Sequence, residues 1–184
     1  MKAKKLFLTC FAALLAVSVV ALPVSAAEQP KMLQESFETD ERILESREVN
    51  QYVDENGFTI TEETLTYSYP SARATEHKVT GVKNYIVSRI GQGDLLTITL
   101  DADFYYIPNQ SNSVYCPRYY SSYRVHRPEL IKSYEETNMN YTTGSASATV
   151  KTQYKVVYVA YVNGGNTTIR PSMSITGSNS GKIT

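Results

Sequence analysis

The stretch "LLTITLDADFYYIPNQSNSVYCPRYYSSYRVH", Leu95 to His126, decides how the chain folds. Its first part alternates: Leu96, Ile98, Leu100, Ala102, Phe104 and Tyr106 fall on one side, and Thr97, Thr99, Asp101 and Asp103 on the other. A period of two with one apolar side is the mark of a half-buried strand. Pro108 to Asn112 is turn chemistry, and the chain then returns. Setting Ile107 opposite Val114 places Leu96 against Val125, Ile98 against Tyr123, Ala102 against Tyr119 and Phe104 against Pro117. The other side then pairs Asp103 with Arg118, Asp101 with Tyr120 and Thr97 with Arg124. This register predicts that Tyr115, Tyr119 and Tyr123 enter the core, and it also matches a carboxylate to a guanidinium. A slip by one residue would exchange the two faces. Pro117 implies an edge strand or a bulge.

Working outward, "ATVKTQYKVVYVAYV" (Ala148–Val162) repeats the alternation, and "TIRPSMSI" (Thr168–Ile175) sets Ile169, Met173 and Ile175 on one face. "HKVTGVKNYIVSRI" (His77–Ile90) is rich in β-branched and aromatic residues, with Gly81 suggesting a bulge. "ILESREVNQYV" (Ile43–Val53) reads as a charged strand pairing back on "FTITEETLTYSY" (Phe58–Tyr69) across Asn56-Gly57, a type I′ hairpin signal. Further turn signals stand at Gly91–Gly93 and Asn163–Asn166. No segment keeps a 3.6-residue apolar spacing. The expectation is an all-β chain, an antiparallel β-sandwich (Ig-like or related) forming a single domain over residues 43–184, with a barrel as the competing closure.

The N-terminus reads as an export signal over residues 1–26. Lys2, Lys4 and Lys5 precede an apolar run from Leu6 to Leu22, and Val24-Ser25-Ala26 supplies the small residues of a cleavage site. The run is short for a membrane span, which needs about 20 residues. A secreted protein with no membrane span after cleavage is therefore expected. Residues 27–42 form an acidic lead-in. Residues 28–63 hold eleven acids against three bases, and residues 64–184 hold twelve bases against seven acids. That basic excess is too small for a nucleic-acid binder. The only cysteine beyond the signal is Cys116, so a monomer or a Cys116-linked dimer is expected.

Chemistry is sparse. Cys116 and His126 are separated by ten residues, about 33 Å along a strand, too far for a thiol dyad. Asp101 and Asp103, two apart on one face, stand about 7 Å from each other, in the range of an inverting carboxylate pair. No phosphate loop, paired CxxC or nucleophile elbow is present, and no metal or cofactor is called for. The outward residues of the returning strand, Arg118, Tyr120, Arg124 and His126, form the candidate ligand-binding face.

From about Arg73 onward, the pieces "KVTGVKNYIV", "LTITLDADFYYI" followed by "SVYC", "TTGSASATV" and "SMSITGSNSGKIT" resemble small exported strand-rich proteins of Gram-positive gut anaerobes. The resemblance implies a signal peptide, a strand-rich body and a Thr/Ser/Gly-rich finish, with no assigned activity. Members often carry a second cysteine in the last strand, where this chain reads Ile175-Thr176-Gly177. The functional expectation is an exported, non-catalytic sandwich binding a wall polymer, glycan or extracellular protein. Two alternatives are a small glycan hydrolase using Asp101 and Asp103, and a secreted inhibitor or immunity-type protein acting through the acidic lead-in.

Overall fold

Alternating side chains and glycine-bearing turns produce strands throughout the structure, a computed structural model that describes residues 41–70, 75–159 and 165–184. The export signal and the lead-in up to residue 40 lie outside the described residues. Five strands, β1 (Ile43–Val53), β2 (Thr59–Ser68), β3 (His77–Arg89), β4 (Gly93–Tyr106) and β5 (Tyr115–Val125), form one antiparallel sheet in chain order. A 3-10 turn at Pro128–Leu130 leads to β6 (Ile131–Thr143) and β7 (Ser147–Val159) in a second sheet. The short β8 (Asn166–Ile169) and β9 (Ser172–Ser178) both pair with β7, β8 along Val156–Val159 and β9 along Ser147–Gln153. The chain is thus an all-β sandwich of two antiparallel sheets. The first sheet follows chain order, whereas in the second β9 passes over β8 to pair with β7.

The core is where the two alternations meet. Leu96, Ile98, Leu100, Ala102 and Phe104 of β4 are buried against Val150, Tyr154, Val156 and Tyr158 of β7 and Met173 and Ile175 of β9. Contact is close at Gly177 and Gly81. A Cβ on Gly177 would collide with the ring of Phe104, and one on Gly81 would lie 2.6 Å from Cγ2 of Ile175. Gly81 therefore marks a close approach and not the expected bulge. The β3–β4 register runs unbroken through it, and the irregularity falls at Val87/Ser88.

Other local expectations are revised by neighbouring chemistry. Of the Asn56-Gly57 pair only Gly57 has a positive φ, 78°. The Asp54 carboxylate accepts the N–H of Asn56 and of Phe58, so the turn is a three-residue loop ending in a left-handed glycine and not type I′. Pro171 breaks "TIRPSMSI" into β8 and β9, because proline lacks the ladder donor. Strand β6, absent from the sequence reading, carries two register shifts that invert its alternation midway, and most of its residues are exposed.

Strands β8 and β9 follow one another along β7 and add only one strand width, so the second sheet is three strands wide beneath a first sheet of five. Strands β3, β4 and β5 receive contacts from β7 and β9. Strand β1 is exposed at every residue and β2 is mostly half-buried.

Candidate functional site

The expected β4–β5 register is the observed one from Leu96↔Val125 to Asp103↔Arg118. Beyond Asp103 a bulge intervenes, as Pro117 implied, so Tyr105 and not Phe104 finds the next partner, Tyr115. The bulge turns Tyr115 onto the outer face, where it stacks on Tyr105 at 5.5 Å. Tyr119 and Tyr123 do face the second sheet, yet neither enters the core. They remain 37% and 47% exposed, and Tyr115 is 42% exposed. The exposure of these rings has a simple cause. Strand β5 is the sheet edge, and β6 opposes it only through side chains. Tyr119 stacks on Tyr141 at 5.8 Å, and Tyr123 meets Tyr134 at 4.2 Å and Tyr154 at 6.5 Å. Between these rings Ser121 Oγ donates to Glu136 at 2.8 Å, and Thr152 Oγ1 donates to the same carboxylate oxygen at 2.7 Å.

The outer face of β3–β5 holds the candidate residues. Arg118 donates through Nε to Asp103 Oδ2 at 2.7 Å and through Nη2 to Asp101 Oδ1 at 3.4 Å. Its guanidinium also lies 5.5 Å from the Tyr120 ring centroid, and the Tyr120 hydroxyl donates to Asp101 Oδ2 at 3.3 Å. From β3, Thr80 donates to Asp103 Oδ1, the Tyr69 hydroxyl reaches Thr80 Oγ1 at 2.9 Å, and Lys78 Nζ stands 3.5 Å from Asp103 Oδ2. Both aspartates are buried beneath these groups although they point away from the core. Their carboxyls are driven apart. Burial raises Asp101, with Arg118 opposing it only in part. Burial also pushes Asp103 upward, but hydrogen bonds from Arg118 and Thr80, with the Lys78 charge, outweigh it and hold the carboxyl below its ordinary range.

Further along β5, Arg124 is exposed opposite Thr97 and forms no ion pair or hydrogen bond among the described residues. His126 Nε2 lies 3.0 Å from Thr97 Oγ1, and the His126 amide donates to Leu95 O at 2.9 Å. Arg118, Tyr120 and Arg124 therefore share the outer face as the alternation required, with His126 at its end. Lys78, Thr80 and Tyr69 were missed, because the sequence reading paired β4 only with β5. Setting Gly81 opposite Ala102 would have brought Thr80 to Asp103. A second polar row crosses the same face. Arg47 Nε donates to Glu63 at 2.6 Å, Asn84 Nδ2 to Glu63 at 2.8 Å and Thr99 Oγ1 to Asn84 at 2.8 Å.

Cys116 is buried, its Sγ lies 3.3 Å from Arg118 O, and burial first and the Asp103 charge second push the thiol up to about 12. Cys116 and His126 stay apart along β5 and the residue after it. Among the described residues no group of three or more His, Cys, Asp or Glu could hold a metal ion. A shallow depression of about 440 Å³ lies between the β1–β2 turn and β8, lined by Asp54, Glu55, Asn56, Thr168, Ile169 and Arg170. Of its two carboxylates, that of Asp54 accepts the amides of Asn56 and Phe58. Among the described residues no helix is long and apolar enough to cross a membrane. Neither a protein-family model, a curated protein nor a solved structure matches the chain.

Proposed function

We propose that the protein is an exported, non-catalytic β-sandwich that binds an extracellular wall polymer or other glycan along the outer face of β5. Export is read from the N-terminal lysines, apolar run and small-residue site. The observation that carries the binding reading is the outer strip itself. Tyr120 is braced by Arg118 and Asp101, and Arg124 stands on the same strand face with no partner among the described residues. A braced ring offers a stacking surface at low entropic cost, and a free guanidinium supplies directed donors for hydroxyl, carboxylate or phosphate groups. The closed state of the carboxylates favours binding over hydrolysis. Both oxygens of Asp103 and both of Asp101 accept hydrogen bonds from protein groups, leaving no carboxyl facing a substrate bond.

Co-sedimentation of residues 27–184 with washed bacterial cell walls tests the proposal. Arg124→Gln, which breaks no side-chain hydrogen bond or ion pair among the described residues, is expected to weaken retention, and Tyr120→Ala/Arg124→Ala to abolish it while circular dichroism stays strand-like. Equal retention of all three proteins would remove the outer face of β5 from the function. Turnover of a glycan that Asp103→Asn eliminates would replace binding with hydrolysis.

A further inference from the structure

Among the described residues strand β1 is the free edge of the five-stranded sheet, and five of its side chains, Ile43, Leu44, Val49, Tyr52 and Val53, are 42–65% exposed. Edge strands are usually blunted by bulges, proline or charge, because an unpaired row of N–H and C=O groups recruits another strand. Strand β5 has Pro117, a bulge, Arg118 and Arg124, and β6 has two register shifts. Strand β1 has one irregularity, between Leu44 and Ser46, and pairs regularly with β2 from Ser46 to Val53.

The direction of its free backbone groups follows from the turn. The Asp54 amide donates to Phe58 O at 2.9 Å, so residue 54 points its backbone groups at the neighbouring strand. That direction alternates along a strand. Tyr52, Asn50 and Glu48 therefore also turn theirs toward β2, and Arg47, Val49, Gln51 and Val53 turn theirs to the open edge.

We propose that two copies of this chain associate through β1, antiparallel about a two-fold axis at Val49, joining their first sheets into one continuous sheet. Such an axis keeps the outer faces on one side, so opposed residues must come from the same face. An axis at Arg47 or Glu48 would set like charges against each other. An axis at Asn50 shortens the overlap. With the axis at Val49, Val49 meets its own copy, Arg47 meets Gln51, Glu48 meets Asn50 and Ser46 meets Tyr52. No like charges are opposed, and the outward N–H and C=O groups of Arg47, Val49 and Gln51 all find partners. Two paired strands bury on the order of 1,000 Å², the low end of specific interfaces, so the dimer is sought across a wide concentration range that includes the micromolar.

Sedimentation equilibrium of the full chain across that range is expected to show twice the monomer mass at the upper end. Opposed hydrogen-bonded residues stand about 5.5 Å apart at Cα, within disulfide reach. In a Cys10→Ser background, Val49→Cys is expected to give a disulfide-linked dimer under mild oxidation, while Asn50→Cys gives none. Val49→Lys, which places two charges on the axis, is expected to sediment as a monomer with unchanged circular dichroism. A wild-type protein that stays monomeric at the highest concentration overturns the proposal. So does a dimer that survives Val49→Lys, or cross-linking at residue 50 and not at 49.

Discussion

Strands β4 and β1 belong to the same sheet, and their residues meet opposite fates. The core row of β4, Leu96, Ile98, Leu100, Ala102 and Phe104, is buried, and so are Asp101 and Asp103 on its other face. Strand β1 is exposed throughout although it carries Ile43, Leu44, Val49, Tyr52 and Val53. Apolar content does not separate the two strands, since β4 buries two carboxylates and β1 exposes five large apolar side chains. Coverage separates them. The three-strand second sheet reaches β3–β5 and stops short of β1. On the outer side, Arg118, Lys78, Thr80 and Tyr120 close over the aspartates as a second sheet would over apolar groups.

The comparison is broken most directly by making one substitution in both strands. Leu100→Ala removes a fully buried side chain and is expected to lose about 2–5 kcal/mol in urea unfolding. Leu44→Ala, the same chemistry on β1, is expected to change stability by no more than about 0.5 kcal/mol. Equal losses would mean that β1 is covered in solution.

The next effect sharpens the comparison within β4. Asp103 has a folded-state pKa below its ordinary value. Its contribution is therefore present above the ordinary carboxylate range and lost as pH falls through the depressed value. Asp101 is raised, so its burial as a carboxylate opposes folding at neutral pH, and that opposition fades as pH falls through the raised value. Asp103→Asn is expected to lose about 1.5–3 kcal/mol at neutral pH, the range for hydrogen bonds to charged groups, and Asp101→Asn less. The deficit of Asp103→Asn should shrink as unfolding is measured at falling pH, beginning near about pH 4, where the unfolded carboxyl takes up its proton, and ending below the depressed value of the folded one. A deficit independent of pH would mean that the Asp103 charge contributes nothing to the fold. Smallest of the core effects is Gly177→Ala, which drives a methyl into the Phe104 ring and is expected to lose about 1–3 kcal/mol by overpacking. An unchanged urea midpoint there would show that the two sheets can separate locally at no cost.

Much of the β4–β5 hairpin was legible because its determinants are local. Alternation assigned the faces, and the length of the Pro108–Ser113 connection set Asp103 against Arg118 and Thr97 against Arg124. Pro117 announced the edge and the bulge. The exposure of Tyr119 and Tyr123 was not legible, because alternation says which way a ring points and nothing about what lies above it. Strand β6 escaped for a related reason. It is an edge strand with no fully buried residue, and its two bulges break the period that identifies a strand. Of the site, the outward set Arg118, Tyr120 and Arg124 followed from the same alternation, whereas Lys78, Thr80 and Tyr69 come from residues well before β4 and needed the β3–β4 register.

The sequence by itself determined that the chain is built of antiparallel strands, where most of them turn, and which face of β4 and β5 most residues take. These follow from steric preferences and side-chain periodicity acting over a few residues. Only the tertiary structure decided which faces are covered, that Gly81 and Gly177 are points of contact between sheets, and that two aspartates are buried outside the core. Coverage depends on how many strands each sheet acquires and where their edges fall, and that is a property of pairings between residues far apart in the chain.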